Sequence, residues 1–325
     1  CNMKKILILG AAGDIGTYLV DYFYDRIEEY GLELITADIR SNNFLEEHSK
    51  FYKFDIRERD TFDALPENIY AVIDLATTMP ARMLGFHPES YVRTNIDGTV
   101  NVLEFCREKN IDRLLFAQTF GDILKHAEVD PVHKISMIPE QDYADNKSVY
   151  ITTMNTAVEL IKCYNAIYDQ RTFIFRLPTI YSWSNKKYFE DGKEVEKSWR
   201  ILVDQALNGK DIHVWGDPNR AKDMPYVKDL CQMFFKACFV DKKFGFYNVG
   251  TGKGIKLIDQ IKGYIKVFGG SKKSNILYSP EKRNAPQYIM DITEAKQELG
   301  YEPKYDFISM LEDMKKEKEL DRLDL

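Results

Sequence analysis

Residues 4–16 read KKILILGAAGDIG, and this stretch decides the fold. Its first part, 4–10, is an apolar run behind two lysines and predicts a strand buried on both faces. Its second part spaces Gly10, Gly13 and Gly16 directly before a segment of helical periodicity. A buried strand that turns through glycines into a helix is typical of a β-α-β unit, so the stretch predicts an α/β fold.

Short β-rich runs and helical segments go on alternating up to residue 178. This rhythm predicts a Rossmann-like, doubly wound parallel sheet covered by helices on both faces. The predicted strands are 4–10, 32–38, 51–56, 71–76, 113–119, 172–177, 212–215 and 246–249, and the predicted helices are 15–30, 91–110, 148–169, 227–240 and 256–268.

The rhythm changes after residue 178, where the polar stretch 182–198 predicts a loop. The last segment, from residue 308, predicts a charged amphipathic helix with a solvated face. We expect a smaller C-terminal α/β lobe laid over the first domain. The predicted boundaries are 1–178 with a return segment near 226–250 for the first domain, and 179–225 with 251–325 for the lobe.

Composition excludes several classes of protein. The chain has 325 residues, of which 44% are hydrophobic and 30% charged, as in ordinary globular proteins. Its net charge of -6 argues against a basic nucleic-acid face. The cysteines form no CxxC pair and no histidine has zinc-like spacing, so neither a disulfide framework nor a metal site is expected. The sequence shows neither a membrane span nor a leader before the first strand, and the expected location is the cytoplasm.

The glycine turn has the spacing of a dinucleotide site. Gly10 permits a tight turn, Gly13 lets the backbone approach a pyrophosphate, and Gly16 lets the helix pack close to the sheet. The N–H groups at the start of that helix would face the phosphates. Asp38 ends the second strand, 22 residues past Gly16, where a carboxylate accepts ribose hydroxyls and repels a 2′-phosphate. NAD is therefore favoured over NADP, although Arg40 could pair with such a phosphate.

Further strand ends would complete the cofactor site. Asp55 and Ile56 end the third strand, where they could bond the adenine amino group and pack on its ring. An ordinary helix cap is the alternative role for Asp55. The fourth strand closes beside the nicotinamide half with Leu75, Ala76 and Thr77.

Several motifs in a fixed order resemble the extended short-chain dehydrogenase/reductases of the UDP-galactose 4-epimerase type. The matching segments are 10–16, NIDGTVN at 95–101, RLPTIY at 176–181, KDMPYVKD at 222–229, YNVG at 247–250, Arg283, and Asp291 with ELGY at 298–301. The resemblance implies NAD as cofactor and a nucleotide-diphosphate sugar in the lobe. The implied cofactor set is Gly10, Ala12, Gly13, Asp14, Ile15, Gly16, Asp38, Arg40, Asp55, Ile56, Leu75, Ala76, Thr77, Asn95, Tyr150 and Pro178.

The resemblance also implies a homodimer, in which the helices at 91–110 and 148–169 pair as a four-helix bundle. The first of these helices has an apolar stripe consistent with burial against either the sheet or a partner. The stripe consists of Val92, Ile96, Val100, Leu103 and Cys106.

The family's catalytic set is a hydroxyl at the end of the fifth strand and a YxxxK motif on the next helix. By position these are Thr119 and Tyr150, but Met154 stands where the lysine is expected. Residues four apart share a helix face, so Met154 should lie beside Tyr150. Methionine supplies no charge to lower the pKa of the phenol. A free tyrosine titrates near 10, so its phenolate fraction at pH 7 is about one in a thousand, a deficit of roughly 4 kcal/mol.

Three interpretations of Met154 stay open: a slow or single-direction dehydrogenase, an epimerase that borrows another group, and a nucleotide-sugar binder without turnover. In the last, Met154 would simply be a core residue. A dehydratase is disfavoured. The sugar dehydratases of this family carry an acid within two positions after the threonine, where this chain has Phe120 and Gly121. Asp122 comes one step later and would be misdirected.

The resemblance assigns the sugar nucleotide to side chains from both domains. Arg283 would clamp the diphosphate with its planar guanidinium, and Lys222 stands in the place of a second arginine. Trp215 could stack on the base or belong to the core, and Arg82 could contact the ligand or form a surface salt bridge. The implied substrate set is Thr78, Arg82, Thr119, Thr179, Trp215, Lys222 and Arg283.

These assignments predict an NAD-dependent oxidation of the C4 hydroxyl of a nucleotide-diphosphate sugar. Tyr150 would take the proton and Thr119 would orient the oxygen. GDP-manno-heptose, in capsule or surface polysaccharide synthesis, is the candidate substrate that the resemblance suggests. A 4-epimerase and a non-catalytic sugar-nucleotide binding protein are the alternatives.

Overall fold

A sheet of seven parallel strands forms the centre of the molecule in the computed structural model, which describes residues 3–144 and 146–325. In chain order the strands are β1 Lys4–Leu9, β2 Leu32–Asp38, β3 Lys50–Lys53, β4 Ile69–Asp74, β5 Arg113–Thr119, β6 Arg171–Leu177 and β7 Phe244–Asn248. Across the sheet they stand in the order β7-β6-β5-β4-β1-β2-β3. Strand order therefore reverses between β1 and β4, which is where open parallel sheets bind ligands.

Helices cover both faces of this sheet, and the predicted doubly wound α/β fold is confirmed. The helices are α1 Asp14–Tyr24, α2 Ile27–Tyr30, α3 Asn43–His48, α4 Pro88–Tyr91, α5 Gly98–Glu108, α6 Ser148–Tyr168, α7 Ser198–Leu207, α8 Val227–Ala237, α9 Leu257–Phe268, α10 Thr293–Leu299 and α11 Phe307–Leu320. Within the described ranges, no helix is long and apolar enough to cross a membrane.

Four short strand pairs lie outside the main sheet in the described residues. Their partners are Val132–His133 with Ile289–Met290, Tyr188–Glu190 with Lys193–Val195, Ile212–Trp215 with Ile276–Ser279, and Ala221–Asp223 with Gly254–Lys256. The proposed division into a first domain and a lobe stays a prediction. β7 joins the main sheet beside β6, as the return segment requires.

Several predicted elements differ from the structure. The third strand ends at Lys53 rather than at residue 56, because the backbone turns at Asp55, whose carbonyl accepts from the N–H of Glu58. The predicted helix 15–30 breaks into α1 and α2 after Tyr24. The predicted helix 91–110 begins three residues earlier and passes through a π-helical turn at Val92–Asp97.

One prediction for the second half was wrong. The stretch 182–198 is not a plain loop, because it contains the hairpin Tyr188–Glu190 and Lys193–Val195.

The last helix, α11, is amphipathic as expected. Met310, Leu311 and Met314 are fully buried against the core on one face, and other positions of the helix are exposed.

Backbone contacts explain the tight turn from β1 into α1. Gly10 has a φ of +73°, and a Cβ there would lie 2.7 Å from the backbone of Leu75 and Ala76. A Cβ on Gly16 would lie 2.6 Å from the Cα of Ala11. Neither position can carry a side chain without moving backbone, so α1 and β4 approach the turn more closely than other residues would allow.

We predict that Gly16→Ala lowers the free energy of unfolding by about 2 kcal/mol or more, because the methyl group would overlap rigid backbone. Urea denaturation measures the change. Gly270→Ala is the control, since its nearest neighbour would be the Leu207 oxygen at 3.4 Å. Equal stability of the two variants would contradict the prediction.

Candidate functional site

The turn between β1 and α1 leaves open space above Gly13. A Cβ on Gly13 would meet only the Gly10 oxygen, at 3.3 Å, and no side chain caps the start of α1. The N–H groups of the first turn of α1 therefore remain available to an anion, and the helix dipole favours a negative charge there.

Asp38 ties this turn to the end of β2. One carboxylate oxygen accepts from the N–H of Ala12 at 3.0 Å and the other from the N–H of Arg40 at 3.0 Å. Asp38 is buried, whereas the Arg40 side chain is exposed. Each carboxylate oxygen keeps a second lone pair, which fits the predicted role of accepting hydroxyl donors.

Asp14, the first residue of α1, lies among cations. Its carboxylate contacts the Arg82 guanidinium at 2.5 Å and the ammonium groups of Lys186 and Lys197 at 3.7 Å each. Burial opposes ionisation, but these cations together hold the pKa of the carboxyl below its ordinary value. Arg82 therefore lies beside the glycine turn, in an ion pair.

Asp55 and Ile56 lie beyond β3 and not on it. Arg57 donates to both carboxylate oxygens of Asp55 through its side chain, and its N–H also donates to one of them. Ile56 packs against Gly98 at the start of α5. Asp55 thus stabilises the turn after β3, a structural role similar to the helix cap considered as the alternative. Its hydrogen bond to an adenine stays a prediction.

A polar network holds the turn that follows β4. The Asn95 amide accepts from the Thr77 hydroxyl and the Thr78 N–H, both at 2.9 Å, and donates to Thr153 at 3.1 Å. Asn95 sits in the π-helical turn, a feature common at functional sites. The network fixes Thr77 directly after Leu75 and Ala76. These three half-buried residues follow β4 at the edge of the sheet where the strand order reverses, a region called the cleft below.

Met154 is a core residue. Its side chain is 1% exposed, within the hydrophobic cluster between the sheet and α6. The Thr77 hydroxyl lies 3.5 Å from its sulfur but has a shorter bond, 2.9 Å, to Asn95. The Tyr150 ring packs against the same cluster, so Met154 is buried beside Tyr150 and Thr77.

Thr119 and Tyr150 come together as predicted from their positions. Both are half-buried, at the end of β5 and in the first turn of α6. Burial raises the pKa of the Tyr150 phenol to about 12, and a hydrogen bond with Thr119 opposes part of that rise. The Tyr91 ring packs 5.9 Å from the Tyr150 ring.

Asp122 forms a buried ion pair. One of its oxygens accepts two bonds from the Arg176 guanidinium, at 2.8 and 3.1 Å. Both side chains are at most 2% exposed, and burial raises the pKa of the carboxyl although Arg176 opposes that rise. Removing either charge would leave the other unpaired in the interior, so the pair stabilises this part of the core.

The predicted substrate residues do not form one cluster. Thr78 donates its hydroxyl to Thr94 inside the Asn95 network. Trp215 is 55% exposed, so the alternative that it belongs to the core was wrong. The Arg283 side chain is exposed. Pro178 is buried just after β6.

Tyr288 connects the lobe to the end of β5, and the sequence analysis missed it. Its ring lies 4.8 Å from that of Phe120, it shares a hydrogen bond with Thr179, and it lies near Lys222. Burial lowers the pKa of the Lys222 ammonium. Nothing local in the sequence marks Tyr288, because its contacts come from residues more than 60 positions away.

Comparisons with known proteins agree with this arrangement. Residues 6–250 match the NAD dependent epimerase/dehydratase family, and the chain belongs to that family. Its cofactor is therefore NAD. The low-salt glycan biosynthesis protein of Haloferax volcanii is 27% identical over 94% of this chain and 96% of its own length.

Two solved structures have the same fold. The UDP-glucose 4-epimerase of Thermotoga maritima, solved with UDP-glucose, has a TM-score of 0.76 at 23% identity, and covers 97% of this chain and 99% of its own. The UDP-glucuronic acid 4-epimerase of Bacillus cereus, solved with NAD, has a TM-score of 0.73 at 21% identity and covers the same shares.

The residues around the glycine turn fit NAD. A diphosphate suits the space over Gly13 and the uncapped start of α1. A ribose suits the Asp38 carboxylate, which can accept hydrogen bonds from its hydroxyls. The sequence analysis missed Lys186 and Lys197, whose long separation from Asp14 in the chain hides their contact.

We predict that Gly13→Ala weakens NAD binding at least tenfold while the free energy of unfolding changes by less than about 1 kcal/mol. The φ of Gly13 is -72°, which alanine accepts, but the methyl group would occupy the open space. Calorimetric titration gives the dissociation constant. An unchanged constant would show that the diphosphate does not approach this residue.

Proposed function

We propose that the protein oxidises the C4 hydroxyl of a nucleotide-diphosphate sugar with NAD, and that it acts in the synthesis of a capsule or other surface polysaccharide. The observation that carries the proposal is the meeting of the Thr119 hydroxyl and the Tyr150 phenol at the carboxyl edge of the sheet, where burial raises the pKa of the phenol and Thr119, at the end of β5, opposes that rise. The glycan biosynthesis protein and the UDP-sugar epimerases named above support the substrate class. GDP-manno-heptose is the candidate sugar nucleotide, which would become its 4-keto form.

Two side chains of the protein have separate roles in this reaction. Tyr150 removes the hydroxyl proton, and Thr119 holds the same oxygen by a hydrogen bond. NAD, when bound, supplies the hydride acceptor and a positively charged ring.

The proton transfer is the difficult step in this chain. With a pKa of about 12, the Tyr150 phenol is ionised in roughly one molecule in 10⁵ at pH 7, a deficit of about 7 kcal/mol. Met154 contributes no charge that would reduce it. The positive ring of the bound cofactor offsets part of this free-energy deficit. We therefore expect slow oxidation at neutral pH, and a faster reaction as the pH rises.

A 4-epimerase is the second candidate, favoured by the names of the structural neighbours. It would return the hydride to the opposite face of the keto sugar. A panel of GDP- and UDP-hexoses and heptoses, incubated with NAD⁺, separates the candidates. Absorbance gained near 340 nm and a product two mass units lighter support oxidation. An inverted C4 without absorbance change supports the epimerase, and binding without either supports a non-catalytic binder.

For the sugar nucleotide, we propose the exposed Trp215 ring as the base platform and Arg283 as a diphosphate contact that closes onto the ligand. Lys222 and Thr179 would meet the sugar side through Tyr288. Of the lobe residues named here, Tyr288 is the one that reaches the end of β5 within the described structure, where its ring packs on Phe120 directly after Thr119.

We also propose a homodimer through α5 and α6. Of the predicted stripe, Leu103 and Cys106 are buried against the sheet and Val92 is 41% exposed. On α6, Ile167 and Tyr168 are 69% and 50% exposed. The outward apolar side chains leave a face that a second copy could cover.

We predict that Tyr150→Phe abolishes oxidation, at least 10³-fold in kcat, with NAD affinity changed less than threefold, because only the proton acceptor is removed. The rate is followed as absorbance at 340 nm. Tyr168→Phe is the matched control on the same helix, exposed and away from the cleft. Retained activity in Tyr150→Phe would discard the assigned base.

We predict that Met154→Leu leaves NAD affinity and the oxidation rate within about threefold, because the side chain supplies only packing. Met154→Lys should keep NAD binding and move the rise in rate to lower pH by about one unit or more. The reason is that an ammonium beside the phenol favours its ionised form. The pH profile of kcat/KM measures this. A profile that does not move in Met154→Lys would mean that residue 154 does not act on Tyr150.

A further inference from the structure

Three cations surround one carboxylate at the start of α1. Arg82 follows β4, whereas Lys186 and Lys197 come from the polar stretch before α7, and all three contact Asp14. The Lys186 ammonium also donates to the Ala12 carbonyl, in the glycine turn itself. The cluster therefore lies against the turn that leaves space for an anion.

The cluster carries more positive than negative charge. Three cations share the single carboxylate of Asp14, which leaves an excess of two. The Lys186 and Lys197 side chains are only 25% and 20% exposed. Burial lowers the pKa of both ammonium groups, and Asp14 opposes that shift. Because the two partly desolvated lysines share the Asp14 carboxylate with Arg82, a further anion beside them would stabilise their charges.

The stretch 184–197 is held in place at several points, so the lysines do not depend on a loose loop. The Ser184 hydroxyl donates to Asp14 at 2.9 Å, and the Lys187 carbonyl accepts from Arg82. The hairpin in this stretch contacts the segment after β4, where the Gly85 N–H donates to the Gly192 carbonyl at 2.9 Å.

We propose that Lys186 and Lys197 are ligands of the diphosphate of NAD, and that the stretch 184–197 is a clasp over the cofactor's phosphates. The diphosphate carries two negative charges, which matches the excess of the cluster. Lysine binds phosphate as a point charge and needs no fixed planar geometry. This inference rests on the cofactor site proposed above, but it does not depend on the reaction or on the sugar.

The test is NAD binding without substrate, by calorimetric titration of Lys186→Met and Lys197→Met. Each variant should raise the dissociation constant of NAD about tenfold, and the dependence of that constant on NaCl should become less steep than in the wild type. Lys187→Met is the matched control, because its side chain is exposed and pairs only with Glu194 in the described structure. It should bind NAD as the wild type does.

Two further probes separate the sources of the effect. Adenosine lacks the diphosphate, so its affinity should be the same in all variants. The affinity of whichever nucleotide diphosphate the wild type binds, GDP or UDP, should also stay the same.

The proposal is overturned if either lysine variant binds NAD as tightly as the wild type. It is also overturned if the affinity for adenosine falls as much as the affinity for NAD, because that would indicate a structural role of the lysines. A loss confined to the nucleoside diphosphate would assign the lysines to the substrate instead, and would equally overturn it. Failure of the proposed C4 oxidation would appear in the product analysis and leave these binding constants untouched.

Discussion

Backbone packed on backbone at the start of α1 is the constraint on which the rest of the structure depends. Gly10 and Gly16 each lie where an added Cβ would come within 2.7 Å of main-chain atoms. Because no side chain separates them, β1, the turn after β4 and α1 converge on one small space. The wall above β4, the Asp38 carboxylate and the cations around Asp14 all owe their positions to this convergence.

The second organising feature is the Asn95 amide. It forms hydrogen bonds with the turn after β4 on one side and with Thr153 of α6 on the other. One side chain therefore links the residues after β4 to the helix that carries Tyr150. The π-helical turn brings Asn95 to that position by adding a residue to the helix. A buried amide with all its bonds made also fixes one arrangement of the core, because any alternative would leave a polar group unpaired.

The electrostatics of the two ends of the cleft differ. At the glycine turn the chain supplies an excess of positive charge, which suits a diphosphate. Around Tyr150 the described residues supply none, since Met154 is uncharged and Arg176 is paired with Asp122. Burial is the main reason that the pKa of the phenol rises to about 12. The chain thus combines the fold of its family with a phenol that ionises with difficulty.

The sequence by itself determined the parallel sheet, the glycine turn, and the meeting of Thr119 with Tyr150. The first two follow from apolar periodicity and glycine spacing, which fix local geometry. The meeting of Thr119 with Tyr150 was implied by the resemblance to the family. The sequence placed Met154 on the helix face of Tyr150 and left open whether it is a core residue; the structure buries it in the cluster against which Tyr150 packs. Only the tertiary structure brought Lys186 and Lys197 to Asp14, from 172 and 183 positions away, and Tyr288 to Phe120. Such contacts depend on how separate elements pack together, and no local pattern encodes that packing.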